Sequence, residues 1–390
     1  MRNLAPGLLL ALHSSLLWAQ IPGLEPEKNW DLTGYLKYML TAAYPDSGGE
    51  SYDHLIHQRF NYEYRFNSSL RLNAGLRSRY LWGDAAKSSY YRDTVGKDSG
   101  YFNLSETWSE GSDSVGVSQF DRLYINFDRD EWQFQAGRFR INWGMTTIWN
   151  PNDVFNSYSV YDFDYEERPG SDAVSVSKKL GFASQLDLVY SPDSEKELSS
   201  YGLRYLLNVS QWDVQLLGGK SGLDRYAGVG LAGDVLDAGL RAEISYFEPT
   251  RDKWQGANQQ ESLVASIEAD YSFGGDHNLM LRGALLYISD PQQWQNAALY
   301  LNTTLSAKSL SFAEYSAYAD VSFITSPLNS VTLSAIYYQD DSCYFSLSDS
   351  YSLSDDWQLL VVLQRFDGDN DSLFGESKSS LIYTQLRWNF

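Results

Sequence analysis

Beyond residue 28, apolar and polar side chains alternate in runs of about 9 to 14 residues. Strand side chains point alternately to opposite faces, so each run predicts a strand with one apolar and one polar face. Phe60, Tyr62, Tyr64 and Phe66 alternate with Arg59, Asn61, Glu63 and Arg65. Asn67 and Ser68 then turn the chain into Leu70, Leu72, Ala74 and Leu76, which alternate with Arg71, Asn73 and Arg77. This is a β-hairpin. Leu123, Ile125 and Phe127 lead through the polar residues 128–131 into Trp132, Phe134 and Ala136, a second one. Further short polar turns are predicted near Leu180-Gly181, Ser210-Gln211, Gly233-Asp234, Gly274-Gly275-Asp276, Ser326-Pro327 and Ser354-Asp355-Asp356.

Long polar connections fall between these turns, at about 41–53, 83–117, 142–171, 191–200, 249–260, 289–297 and 367–378. Tight turns on one rim and long loops on the other describe the meander of a membrane barrel. A first count gives about 19 segments, which would leave the chain ends on opposite rims. Treating 297–311 as loop restores parity. The expected fold class is all-β, a transmembrane antiparallel up-and-down β-barrel of about 18 strands, with about 16 as the alternative if another pair merges. A barrel this wide encloses a water channel or a plug. No plug-sized segment precedes the first predicted strand at about 30–40, so passive passage is the expectation.

The last strand places Ile382, Leu386, Trp388 and Phe390 on one face and Gln385, Arg387 and Asn389 on the other. This ending resembles the assembly signal of Gram-negative outer-membrane barrels. The resemblance implies that Leu386, Trp388 and Phe390 are read by the barrel-assembly machinery. It also implies residence in the outer membrane of a Gram-negative bacterium, in contact with membrane lipid and lipopolysaccharide. Met1-Arg2, the apolar stretch from Leu8 to Trp18 and the small Ala19 read as a signal peptide at 1–19, leaving 20–390 as one barrel. No later apolar run approaches the roughly 20 residues a membrane helix needs, and the single Cys343 precludes an intrachain disulfide.

Composition adds to this picture. Aromatic residues make up 15%, with 29 Tyr and 12 Trp against 4 Met, as the two interfacial girdles of a barrel require. A net charge of -20 speaks against nucleic acid as a partner.

The chemically distinctive stretch runs from Arg59 to Arg168. Arg59, Arg65, Arg71, Arg77, Arg79, Arg122, Arg138 and Arg140 fall on the expected lumen face as an arginine ladder, with a bulge at Ala136-Gly137 turning the last two inward. A second reading has these arginines merely solvating a polar lumen. The connection that follows is too long and too aromatic for a solvated loop. Trp143, Trp149, Pro151 and Phe155 are expected to bury themselves as anchors, so the loop at about 142–171 would fold inward and narrow the pore. Its acids Asp153, Asp162, Asp164, Glu166 and Glu167 would then face the arginines across a constriction, setting a transverse field. The alternative is a loop packed on the rim.

Gly137-Arg138-x-Arg140-Ile141-x-Trp143-Gly144, followed by Trp149-Asn150-Pro151-x-Asp153-x-Phe155, resembles the strand-plus-loop segment of porin-like outer-membrane families and, more distantly, of the alginate-export type. The resemblance spans about 118–190 and the terminal strand. It implies a channel for small hydrophilic solutes and identifies none of them.

Catalytic patterns are scarce, and the expectation is that the protein is not an enzyme. His54, His57 and His277 stand in no HExxH, CxxC or GxSxG context. His54 or His57 beside a loop serine is the only seed for a barrel-wall lipid hydrolase. Those two histidines fall on opposite strand faces, so no metal site is expected, and no cofactor. Residues 222–233 are glycine-rich without the basic residues of a phosphate loop. A structural or adhesive barrel using the acidic clusters at 162–167 and 367–371 remains the alternative function. The oligomeric state is left open.

Overall fold

The computed structural model describes residues 28–164, 170–275 and 277–390. The expected export segment 1–19 and Glu166, Glu167 and Arg168 lie outside the described residues.

Backbone polar groups facing lipid must be satisfied within the protein, so a spanning sheet has to close on itself. It does. Strands β1 (Trp30–Pro45), β2 (Ser51–Arg65), β3 (Leu70–Gly83), β4 (Ser114–Arg129), β5 (Trp132–Phe139) and β6 (Ser171–Gly181) follow one another around the wall. They continue as β7 (Ser184–Ser191), β8 (Ser200–Val209), β9 (Trp212–Ser221), β10 (Asp224–Val235), β11 (Ala238–Pro249) and β12 (Ser262–Ser272). The circuit ends with β13 (Met280–Ile288), β14 (Tyr315–Ser326), β15 (Asn329–Tyr338), β16 (Ser342–Ser352), β17 (Trp357–Gly368) and β18 (Ser379–Asn389). Every neighbouring pair is antiparallel, and β18 pairs with β1 from Tyr35↔Asn389 to Pro45↔Ser379. The result is a closed 18-stranded barrel.

One further strand, Ser105–Glu110, joins the same sheet beside the upper half of β4. It arises because β5 pairs only with residues 123–129 of β4, leaving the edge above them open. The connection 84–113 folds back to cover it. The 297–311 stretch is a loop carrying the short helix Ala297–Leu301, as strand parity demands.

Alternation decides which face each residue takes. Ile125, Phe134, Leu386 and Trp388 stand exposed on the outside, as lipid-facing residues must, and the register puts Phe60 opposite Leu76 and Leu72 opposite Ile125 on that same face. His54 joins the outer girdle, its ring stacked 4.9 Å from Trp82, while His57 on the opposite parity faces inward. Most turns fall where the sequence places them. Ser210 and Gln211 both take positive φ, 52° and 74°, as a two-residue hairpin of the primed type requires. The turn expected at Gly233-Asp234 lies instead at Leu236-Asp237, since β10 keeps its ladder to Val235.

The expected bulge at Ala136-Gly137 is absent: β5 keeps regular register there against both neighbours. The irregularity sits in β4, where the register shifts between Gly75 and Leu76 and Asp121 is the extra residue.

Two outcomes follow from this wall. Ile125→Arg or Leu72→Arg should destabilise the folded barrel by roughly 2–4 kcal/mol if the position lies at midplane, read from urea unfolding in lipid vesicles; a loss below ~0.5 kcal/mol would place the residue away from lipid. Phe390 pairs its backbone with Gly34 and sets its ring 5.8 Å from that of Phe60, exposed at the rim. Deleting it should leave precursor unassembled in the periplasm while purified protein still refolds in detergent.

Candidate solute path in the barrel lumen

Past Phe139 the chain turns inward and runs along the inner face of β8–β14. Its backbone is held by side chains that the wall presents. Gln215 donates to the Trp143 carbonyl at 2.8 Å, and Ser245 donates to Asn152 Oδ1 at 2.8 Å. Glu243 accepts from the N–H groups of Met145, Thr146 and Asn152, and Glu268 from those of Thr147 and Ile148. Trp143 packs edge-on against Phe155 at 5.1 Å, and Trp149 against Tyr318 at 6.2 Å. Pro151 is buried between them in sequence.

The same segment then crosses to β15–β18. Tyr161 meets the Tyr338 hydroxyl, its carbonyl accepts from Gln364 at 3.1 Å, and its ring lies 5.1 Å from Tyr344. A second connection, 289–314, folds in against it through Tyr300 and Phe312, and Phe374 from the last loop completes the cluster. A hydrophobic core thus forms inside the barrel from loop residues and strand residues running from Phe139 on β5 to Phe366 on β17. Much of the interior is filled by protein. Sequence reasoning placed 289–297 and 297–311 in a loop but did not expect it to fold inward, because its aromatic residues Trp294, Tyr300 and Phe312 are too widely spaced to stand out.

Open space lies along β1–β4 instead. One cavity of about 400 Å³ is bounded by Tyr35, His57, Arg59, Arg77 and Arg79 on the wall and by Asp162 and Asp164 on the loop. A second of about 580 Å³, towards the long-loop rim, shares Asp162 and Asn302 with it. A third of about 260 Å³ lies towards the tight-turn rim, beside Asn61, Asn73, Gly75 and Arg122. The first and third lie along β1–β4, and the second is lined by Gln119, Asp121, Arg138 and Asp172 at the upper ends of β4–β6 and by the loops above them.

The ladder arginines meet different fates. Arg59 is fully covered (1% exposed) and makes a bidentate pair with the equally covered Asp121, at 2.5 and 3.0 Å. Gly75 leaves room for this pair to lie flat on the wall, since a Cβ there would come within 2.8 Å of Arg59 Nη2 and 2.9 Å of Asp121 Oδ1. Arg71 pairs with Asp128 and Arg65 with Asp31 and Glu63, both towards the tight-turn rim. Arg77 donates to Gln119 at 2.6 Å, and Arg79 reaches the Val95 carbonyl at 3.4 Å. Arg122 lines the third cavity, and Arg140 follows the end of β5.

Arg138 stands apart from that row. It fills the fork above β5, bound to Asp98 at 2.7 Å, to Asp172 at 2.8 Å and to the carbonyls of Phe102 and Phe120. Burial pushes the Asp98 carboxyl up, but Arg138 and the N–H groups of Gly100 and Leu104 outweigh it and hold it below the usual aspartate value. Asp153 is fully buried within the inward loop, 0% exposed. Lys37, which sequence reasoning passed over, pairs with Asp164 beside the Tyr35 ring. Its signal was present, since it shares the inward parity of Tyr35 and Met39 on β1.

No described protein family matches the sequence, and no curated protein matches it. Solved structures do match in fold. OprD from Pseudomonas aeruginosa aligns with a TM-score of 0.57 at 10% identity, over 93% of this chain and 93% of that one. OccAB1 from Acinetobacter baumannii gives 0.57 at 10% identity, over 93% and 97%. OpdK from Pseudomonas aeruginosa, solved with vanillate, gives 0.55 at 9% identity, over 92% and 98%. The chain has the fold of Gram-negative outer-membrane porins.

Arg138→Gln should leave Asp98 and Asp172 without their guanidinium and destabilise the protein by about 3–5 kcal/mol, as breaking a buried ion pair does. Loss of heat-modifiable migration at a lower temperature would register it; an unchanged transition would mean that the fork is held by backbone pairing alone.

Proposed function

We propose that the protein is a passive outer-membrane channel for small hydrophilic solutes, with its path running along β1–β4 between the basic wall and the acidic edge of the inward loop. The observation that carries this reading is the cavity where Arg77 and Arg79 stand opposite Asp162 and Asp164. Charges of opposite sign across a narrow space orient dipolar solutes and filter ions. Arg59, Arg138 and Lys37 act differently in this reading: each is spent on neighbouring carboxylates, so they stiffen the wall, the fork and the edge of the loop, and the field at the constriction comes from Arg77 and Arg79 facing the loop acids. No catalytic step forms part of it, and the porin fold of the structural neighbours supports a channel at the coarse level of fold.

Vanillate, named with OpdK, is a fitting first solute, because the cavity sets guanidinium groups beside Tyr35, Leu55 and Leu81. Planar-bilayer recording tests the proposal. Wild-type protein should give discrete current steps. Arg77→Gln combined with Arg79→Gln should move the reversal potential under a salt gradient towards cation selectivity, and Asp162→Asn combined with Asp164→Asn should move it the other way. A silent bilayer would overturn the channel reading. Steps whose selectivity ignores all four substitutions would overturn the path along β1–β4.

A further inference from the structure

We infer that Glu243 and Glu268 are positioning residues that hold the inward loop in place, so that the aperture along β1–β4 is set from the opposite wall. This rests on reading the loop as the wall of the solute path. The two carboxylates project inward from adjacent strands and are diagonal neighbours, since Arg241 pairs with Glu268 and Glu243 with Ser266. Both are buried. An ionised carboxylate only accepts hydrogen bonds, and successive backbone N–H groups of a turn form a concavity suited to an anion. The loop offers two such concavities, and the wall fills both.

Glu243 ties the two limbs of the loop together. One oxygen takes the N–H groups of Met145 and Thr146, and the other takes that of Asn152 at 2.9 Å. Glu268 holds the apex, with Oε2 accepting from Thr147 N at 2.7 Å and Ile148 N at 3.0 Å, and Oε1 from the Thr147 hydroxyl at 2.8 Å. Arg241 approaches Glu268 at 3.3 Å. Arg282 ties Thr147 Oγ1 to the same wall at 2.8 Å. The chain thereby fixes an eight-residue turn, 145–152, before it crosses to the basic wall with Asp162 and Asp164.

The chemistry ranks the two. A glutamine at 243 has the same shape but only one accepting oxygen, so its NH2 must face either Asn152 N–H or the Met145 and Thr146 pair, a donor against donors. At 268 the amide oxygen can keep Thr147 N and Ile148 N, and the Thr147 hydroxyl can rotate to accept from the NH2, so that only the longer 3.3 Å approach of Arg241 is opposed while Arg241 keeps Asp270. Glu243→Gln should therefore free the loop more than Glu268→Gln.

The test uses full-length protein in planar bilayers. Wild type should hold one steady open level. Glu243→Gln should lose that steadiness, with larger current fluctuations and visits to larger levels, and Glu268→Gln should show the same to a smaller degree. In a chain lacking residues 145–155 neither substitution should change the current, because the N–H groups of Met145, Thr146, Thr147, Ile148 and Asn152 that the glutamates hold are gone. A steady wild-type level in Glu243→Gln, or equal noise with and without the loop, would overturn the inference. Thiol labelling of Ile148→Cys in a Cys343→Ser chain reads the loop without any current. Faster labelling on adding Glu268→Gln supports the inference even if the bilayer is silent and the channel reading has failed or Glu243→Gln does not assemble; an unchanged rate overturns it.

Discussion

Everything in this molecule depends on the pairing of the first strand with the last. An open sheet in a bilayer would present two rows of unsatisfied backbone groups to hydrocarbon, each costing several kcal/mol by typical transfer estimates. Tyr35–Pro45 against Ser379–Asn389 removes both rows at once. That closure makes an inside, and the inside is too wide for wall side chains to fill. The chain answers with its own loops, and the position of those loops decides where solute could pass.

The filling is one-sided. Aromatic and aliphatic residues of the loops pack on strands between β5 and β17, and Tyr161, Tyr300, Phe312, Tyr338 and Phe374 form a continuous cluster there. The wall of β1–β4 is left free and is the wall that carries Lys37, His57, Arg77 and Arg79. Carboxylates do two jobs there. Asp121 and Asp128 neutralise wall arginines, whereas Asp162 and Asp164 approach from the loop. On the opposite wall Glu243 and Glu268 bind backbone and not cations in the main, which lets acidic residues serve as anchors.

The barrel was legible because lipid and water impose a period of two on every strand. Ile125, Leu72 and Leu386 stand outside as that period says, and the parity of a closed meander identified 297–311 as loop. The strand at Ser105–Glu110 was not legible, because it exists only where β5 stops short of the rim. The ladder was legible as inward parity for Arg59, Arg71, Arg77 and Arg79, but parity is silent on partners. Asp121, one bulge residue, turns Arg59 from a pore charge into half of a buried pair. Arg138 was read as inward only through a bulge at Ala136-Gly137; without that bulge it sits in the fork, bound to Asp98 and Asp172. The inward loop announced itself through Trp143, Trp149 and Phe155; the glutamates that hold it are single polar residues on otherwise ordinary strands, and nothing local marks them.

The central claim is that solute moves along β1–β4 and not along β9–β13. Cysteine substitution with a charged thiol reagent tests it most directly, in a Cys343→Ser chain recorded in a bilayer. Asn73→Cys, beside the cavity near the tight-turn rim, should be modified during conduction with a stepwise fall in current, and Gln215→Cys or Ser266→Cys, behind the loop, should leave the current unchanged. Block through Gln215→Cys or Ser266→Cys with none through Asn73→Cys would contradict the account.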